Sequence, residues 1–242
     1  MAGQGDALSQ GQEFSSSTWT TANALNRDMP NRGIPVTLLT GFLGAGKTTV
    51  LNYILAAPHG RRVAVLINEF GSVDIDSQLV AHGDLATTNE VVLTNGCICC
   101  TISNNFVDSV KKVIDRSPQP EYLLIETSGV ADPQPVVVNL QETELNDELY
   151  LDQVLTVVDV TQFMAAHYSG SKTAVSQIRA ADTILLSKCD LVYEDGNEGS
   201  IDEVVSRVLK IRPNARILRS EKGRVPVAAL FDVGLSMADK ED

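Results

Sequence analysis

Nowhere in the 242 residues does an apolar run approach the roughly 20 residues that a helix needs to cross a bilayer. The N-terminus also lacks the basic start and apolar core of a secretory signal. Positive charge is scarce: 19 Lys and Arg face 31 Asp and Glu, a formal net charge of -12, and no basic stripe is present. Nucleic-acid backbones are bound through clustered cations, so the composition excludes a nucleic-acid partner as the missing run excludes a membrane span. There is no His-rich tract either; His59, His82 and His167 are scattered and read as ordinary surface or loop histidines. These absences predict a soluble intracellular protein, expected in the cytoplasm. Asp6, Glu13 and Asp28, with few arginines around them, fit a transit peptide for an organelle stroma or matrix poorly.

Residues 1–33 are rich in Ser, Thr, Gly, Gln and Asn without an apolar period, which predicts a disordered tail. The remainder suffices for one α/β domain with a full core, expected over 34–233, before an acidic tail over 234–242. Within it, short apolar runs at 35–40, 62–67, 91–94, 122–126, 154–158, 183–186 and 216–218 alternate with helical patterns. Such alternation predicts a mainly parallel sheet with helices on both faces and ligands at the carboxyl ends of the strands.

The first of those runs, PVTLLT, leads into GFLGAGKT and then into KTTVLNYILAA, whose apolar residues have helical spacing until Pro58 and Gly60. Strand, glycine loop and helix in that order form a P-loop, the cradle of a nucleoside triphosphate. Gly41, Gly44 and Gly46 let the backbone curl so that N–H groups, with those of Ala45 and Thr49, face phosphate oxygens at the positive end of the helix. Lys47, expected in an exposed loop, supplies a point charge, and the Thr48 hydroxyl is placed to ligate Mg²⁺. YLLIETSG places a second acid, Glu126, at a strand end near that Mg²⁺, and lets Gly129 approach the γ-phosphate. SKCD, also after a buried strand, resembles the guanine-reading NKxD element. A carboxylate at Asp190 accepts from guanine N1–H and the exocyclic amine, a donor pair adenine lacks, so GTP is expected over ATP. Ser187 and Lys188 complete that element; serine in place of asparagine predicts a weaker tether to neighbouring loops and looser specificity. A second base loop is expected over 218–223.

Of only four cysteines, Cys97, Cys99 and Cys100 fall within the single stretch TNGCICC, leaving Cys189 apart. Their spacing strains any internal disulfide, and intracellular proteins seldom keep one. Thiolate ligation of a soft or borderline metal such as Zn²⁺ accounts for the cluster, with an incomplete shell suited to transfer; a redox-sensing thiol cluster is the alternative. A helix expected over 103–116 follows it.

Taken in order, GFLGAGKT, INEFG at 67–71, TNGCICC, ETSGVADP at 126–133 and SKCD closely resemble the CobW-like P-loop GTPases, over about 34–233. The resemblance implies a GTP hydrolase that binds Zn²⁺ or Co²⁺ through Cys97, Cys99 and Cys100 and delivers it to a client metalloprotein or cofactor-pathway enzyme. Lys47, Thr48 and Glu126 are the expected catalytic residues. No residue is an evident arginine finger, so a partner, a second copy of the chain or metal loading is expected to complete the site. Family members usually continue into a smaller C-terminal α+β domain, which this chain is expected to lack, and Ile67 and Ser72 stand where some relatives carry acids. A nucleotide-dependent switch without metal transfer is the alternative function. A small-molecule kinase would need a basic lid and has no use for CxCC.

Overall fold

The computed structural model describes residues 33–68, 89–93, 104–165, 168, 170–194, 196, 199–226 and 230–231, all within the compact unit Arg32–Asp242. The expected tails at 1–33 and 234–242 therefore lie, apart from Gly33, outside the described residues. In chain order the elements are β1 (Ile34–Gly41), α1 (Lys47–Ala56), β2 (Val63–Asn68), β3 (Asn89–Leu93), α2 (Asn104–Ile114) and β4 (Tyr122–Glu126). Then come α3 (Gln134–Glu142), a single 3₁₀ turn (Glu144–Asp147), β5 (Leu149–Asp159), α4 (Lys172–Ala180), β6 (Thr183–Ser187), α5 (Cys189–Glu194), α6 (Gly199–Ile211) and β7 (Arg216–Arg219). The seven strands form one sheet in the order β3-β2-β4-β1-β5-β6-β7, and every neighbouring pair is parallel.

Parallel strands need crossovers that cover the sheet, which is why the strands read as nearly continuous apolar runs. Alternate residues of each strand supply the two faces. Leu155 and Val157 of β5 and Leu185 of β6 join a core with Val50, Leu51, Ile54 and Leu55 of α1. Val158, Ile184 and Leu186, one residue out of step, meet Ala174 and Ile178 of α4 and Ile201, Val204 and Val208 of α6 on the opposite face. α1 ends where the sequence demands: Ala57, before Pro58, is extended (ψ 146), as a residue preceding proline prefers.

β5 runs five residues earlier than its apolar run predicts, because Asp152 and Gln153 interrupt the hydrophobic pattern. Both are buried, at 7% and 0% exposure. The register with β1 shifts between Val36, opposite Leu151, and Thr37, opposite Gln153, so Asp152 is the extra residue of a β-bulge. The bulge aims its carboxylate at the Tyr122 hydroxyl, which donates to Oδ2 at 2.5 Å and itself takes a hydrogen bond from Thr37 Oγ1 at 2.8 Å. Gln153 Nε2 donates to the Leu230 carbonyl at 2.7 Å, and Phe231 then packs edge-on against Tyr122 at 4.6 Å. Buried polar groups with partners do not read as core in a hydropathy pattern. Among the described residues no helix is long and apolar enough to cross a membrane.

Because Leu51 is 0% exposed in the centre of the α1-side core, Leu51→Ala leaves a cavity that close-packed neighbours fill only in part. The expected loss is about 2–5 kcal/mol of unfolding free energy, read from the shift of the urea midpoint at unchanged slope.

Candidate nucleotide-binding site

All seven strands point their carboxyl ends to one edge, so Gly41, Glu126, Asp159 and Ser187 finish strands that are neighbours there. At Gly41 the chain leaves β1 with φ 144, and a Cβ would stand 2.4 Å from the Val157 carbonyl oxygen, so no other residue lets β1 turn so close to β5. The Ala45 N–H donates to the Phe42 carbonyl at 3.1 Å inside the loop. Gly46, left-handed at φ 96, then starts α1, and no side chain caps that end. The first N–H groups of a helix have no acceptor within it and carry the positive end of its dipole. An anion at this loop is their natural partner.

Lys47 is the first residue of α1 and only 9% exposed. That corrects the expectation of an exposed loop: the lysine is buried in the first turn of the helix. Next to it, Thr48 Oγ1 lies 3.2 Å from Glu126 Oε1, although 78 residues separate them in sequence. Glu126 is 4% exposed. A hydroxyl and a carboxylate at this spacing, with no nitrogen or sulfur between them, are the hard oxygen donors that suit Mg²⁺. The chain past β4 is tied to β1 as well: Thr127 N–H donates to the Leu39 carbonyl at 2.9 Å, and Thr127 Oγ1 to Thr40 Oγ1 at 2.9 Å. A Cβ on Gly129 would sit 2.8 Å from the Leu43 backbone nitrogen, so this glycine is required by contact with the phosphate loop rather than by its φ. Gln177 of α4, 1% exposed, holds the same loop by donating Nε2 hydrogens to the carbonyls of Gly129 (3.2 Å) and Ala131 (3.0 Å).

On the other side of the loop, Ser187 makes the tether that serine was expected to weaken. Its hydroxyl donates to the Ala45 carbonyl at 2.6 Å, with the Val158 carbonyl further off at 3.3 Å. Asp190, half-buried in the first turn of α5, accepts the Lys222 N–H at 2.9 Å. The Cys189 N–H donates to the Ser220 carbonyl at 3.2 Å, so the SKCD segment and the loop after β7 are joined. Gly223 closes the ring. With φ 75, it lies where a Cβ would meet Thr49 Cγ2 at 2.6 Å. Cys189 itself is buried, its thiol pKa pushed up by desolvation, which leaves it a packing residue.

Gly41, Gly44, Ala45, Gly46, Lys47, Thr48, Thr49, Glu126, Ser187, Lys188 and Asp190 are therefore brought to one edge of the sheet. Cys97, Cys99, Cys100 and the 69–71 part of NEFG lie outside the described residues, in segments that follow β3 and β2. Two residues escaped the sequence reading. Asp159 ends β5 as Glu126 ends β4 and carries the same strand-end signal; Gln177 is a polar residue in a helix and carries none.

A parallel sheet with a glycine loop, a strand-end acid and a lysine–aspartate loop around one mouth is a P-loop nucleotide-binding domain. The chain belongs to the CobW/HypB/UreG family, whose nucleotide-binding domain matches residues 35–219. The zinc chaperone CobW of Sinorhizobium sp is 34% identical over 241 residues, covering 89% of this chain and 66% of that protein. The zinc-regulated GTPase metalloprotein activator 1 of Dictyostelium discoideum is 33% identical over 236 residues, covering 84% and 49%. Among solved structures, the Zn(II)-bound YjiA GTPase of E. coli superposes with a TM-score of 0.58 at 33% identity, covering 84% of this chain and 63% of its own. The chain thus spans about half to two thirds of the length of these relatives.

Since Lys47 stands at the helix N-terminus directly after the glycine loop, Lys47→Ala is expected to abolish measurable triphosphate binding in calorimetric titration while a cooperative melting transition persists. Unchanged affinity in a folded variant contradicts the phosphate assignment.

Proposed function

We propose that this protein is a GTP hydrolase that binds Zn²⁺, or a similar divalent ion such as Co²⁺, as cargo at Cys97, Cys99 and Cys100 and couples its release to turnover, for delivery to a client metalloprotein or cofactor-pathway enzyme. The observation that carries the nucleotide part is the 2.6 Å hydrogen bond from Ser187 to Ala45, which joins the base-side loop to the phosphate loop. The cargo part draws on the CxCC cluster and on relatives named as a zinc chaperone and a zinc-regulated GTPase.

Hydrolysis of a phosphoanhydride asks little covalent chemistry of a protein, so positioning and charge carry the rate. Lys47 and the amides at the start of α1 hold the β- and γ-phosphate oxygens and stabilise the charge that builds on them. Mg²⁺, when held by Thr48 Oγ1 and Glu126, supplies further neutralisation of the phosphates. Glu126, fixed at the end of β4, orients water at the mouth. Gly129 presents its backbone beside the phosphate loop, so the segment that Gln177 and Ser176 grip from α4 is the part placed to respond to the γ-phosphate; Ser176 Oγ donates to Asp132 Oδ1 at 2.9 Å. Asp190 accepts from the guanine edge, with the Lys222 N–H orienting its carboxylate.

Two measurements test this reading. Asp190→Asn replaces an acceptor pair by one acceptor and one donor, so preference is expected to move from GTP toward xanthosine triphosphate, whose added carbonyl accepts from the new amide. Equal use of GTP and ATP by the unmutated protein removes the guanine assignment. For the cargo, a chromogenic zinc chelator in competition is expected to show zinc bound about 5- to 150-fold more tightly with GTP and Mg²⁺ than with GDP, and zinc to raise GTP affinity by the same factor. Identical zinc affinity in both states, or zinc binding that survives serine at 97, 99 and 100, leaves a nucleotide switch without metal transfer.

A further inference from the structure

Of the acids that end strands at this edge, Asp159 has no part in the hydrolysis described above, and it is 2% exposed. A carboxylate so deeply buried is costly unless it is hydrogen-bonded and faces a positive charge. Its partners therefore show what it is held there to do. Oδ1 accepts from the Thr161 N–H at 2.9 Å and from Thr161 Oγ1 at 2.6 Å, closing the turn after β5. Oδ2 crosses to the next strand and takes the ammonium of Lys188 at 2.6 Å. In the sheet Asp159 pairs with Ser187, so Lys188 is the first residue past the paired strands. Tyr168 lies close by: burial first, and then the Asp159 charge, push its phenol above the ordinary value, while its ring packs 4.9 Å from that of Phe42 in the phosphate loop.

Lys188 has a left-handed backbone, φ 60. Residues other than glycine rarely occupy this region, and they stay there only where the surroundings impose it. On one side the Ser187 hydroxyl is fixed to Ala45, and on the other the Cys189 N–H is fixed to the Ser220 carbonyl. The contact that holds the side chain of Lys188 itself is Asp159. Two residues later, the same backbone carries Asp190.

We infer that Asp159 is a positioning residue for base recognition: by gripping the Lys188 ammonium it keeps the 187–190 backbone in the conformation that aims the Asp190 carboxylate at the base. It acts through Lys188 and touches no nucleotide atom. The inference rests on the reading of Asp190 as the guanine acceptor.

Asp159→Asn isolates the ion pair from the turn. The amide oxygen still accepts both hydrogen bonds from Thr161, while its NH₂ meets the Lys188 ammonium donor to donor. Lys188→Met removes the same pair from its half-exposed end, for the case in which the buried variant does not fold. Binding of GTP and of inosine triphosphate, which lacks the exocyclic amine, is measured by titration on the full chain for the unmutated protein, each single variant and the double variant. Each single variant is expected to bind GTP about tenfold more weakly, the scale of one charge-assisted hydrogen bond to the base, with a smaller change for inosine triphosphate, which keeps N1–H but has no amine contact to lose. The double variant is expected to be no worse than either single one, because each removes the same coupling. Lys188→Arg is expected to restore discrimination. Equal losses for both nucleotides, which a merely structural role produces, or additive losses in the double variant overturn the inference while a preference of the unmutated protein for GTP keeps the guanine reading. If the unmutated protein binds ATP as tightly as GTP, both fall together.

Discussion

β1 is hydrogen-bonded in parallel to β4 on one side and to β5 on the other, and the rest of the site depends on that double pairing. Leu39 stands opposite Glu126 of β4 and Leu155 of β5. Val36 and Leu38 are 0% exposed, so a one-residue slip would exchange the faces of a strand buried on both sides. With the register held, the glycine loop leaves the sheet level with the Glu126 carboxylate. Thr48 and Glu126 then meet at 3.2 Å without any contact having to be made by a mobile arm.

Around that frame the polar residues of the carboxyl edge act as fasteners between neighbouring loops. Thr127 holds the exit of β4 to β1, Gln177 holds 129–131 to α4, Ser187 holds β6 to the phosphate loop, and Asp190 holds the loop after β7. Each such bond contributes only about 0.5–1.5 kcal/mol net, so their effect on stability is modest beside that of the two apolar cores. Their effect on geometry is larger. A buried donor or acceptor that loses its partner is penalised more than the bond is worth, so few alternative arrangements of the edge are populated.

Much of this was legible from residues alone because the signals were local. The order of strand, GFLGAGKT and helix needs no knowledge of the rest of the chain, and α1 begins and ends within a residue of expectation. What was missed depends on contacts distant in sequence. Nothing near Gln177 shows that its amide will meet Gly129 and Ala131, 48 and 46 residues away. Asp152 and Gln153 look like a loop because their partners, Tyr122 and Leu230, come from elsewhere, and only the bulge makes them strand. A charge normally seeks water, so Lys47 reads as exposed, whereas it is buried in the first turn of α1. Serine at 187 predicts a weaker tether than asparagine, and what the pattern does not show is that its hydroxyl meets the Ala45 carbonyl at 2.6 Å, 142 residues away.

That short bond from Ser187 to Ala45 also makes the site a calliper. A nucleotide's base and phosphates are separated by a ribose of fixed covalent length, so whichever end binds first presents the other at a local concentration set by how constant the span between the two loops is. If the loops drifted independently, that local concentration would be spread over many separations, and each end would bind almost as a separate fragment. Fastened through one hydroxyl, the two grips act on a single rigid gauge. Fragments carrying only a base or only a polyphosphate then gain nothing from each other, and the protein selects for the length of its ligand as well as for its two ends.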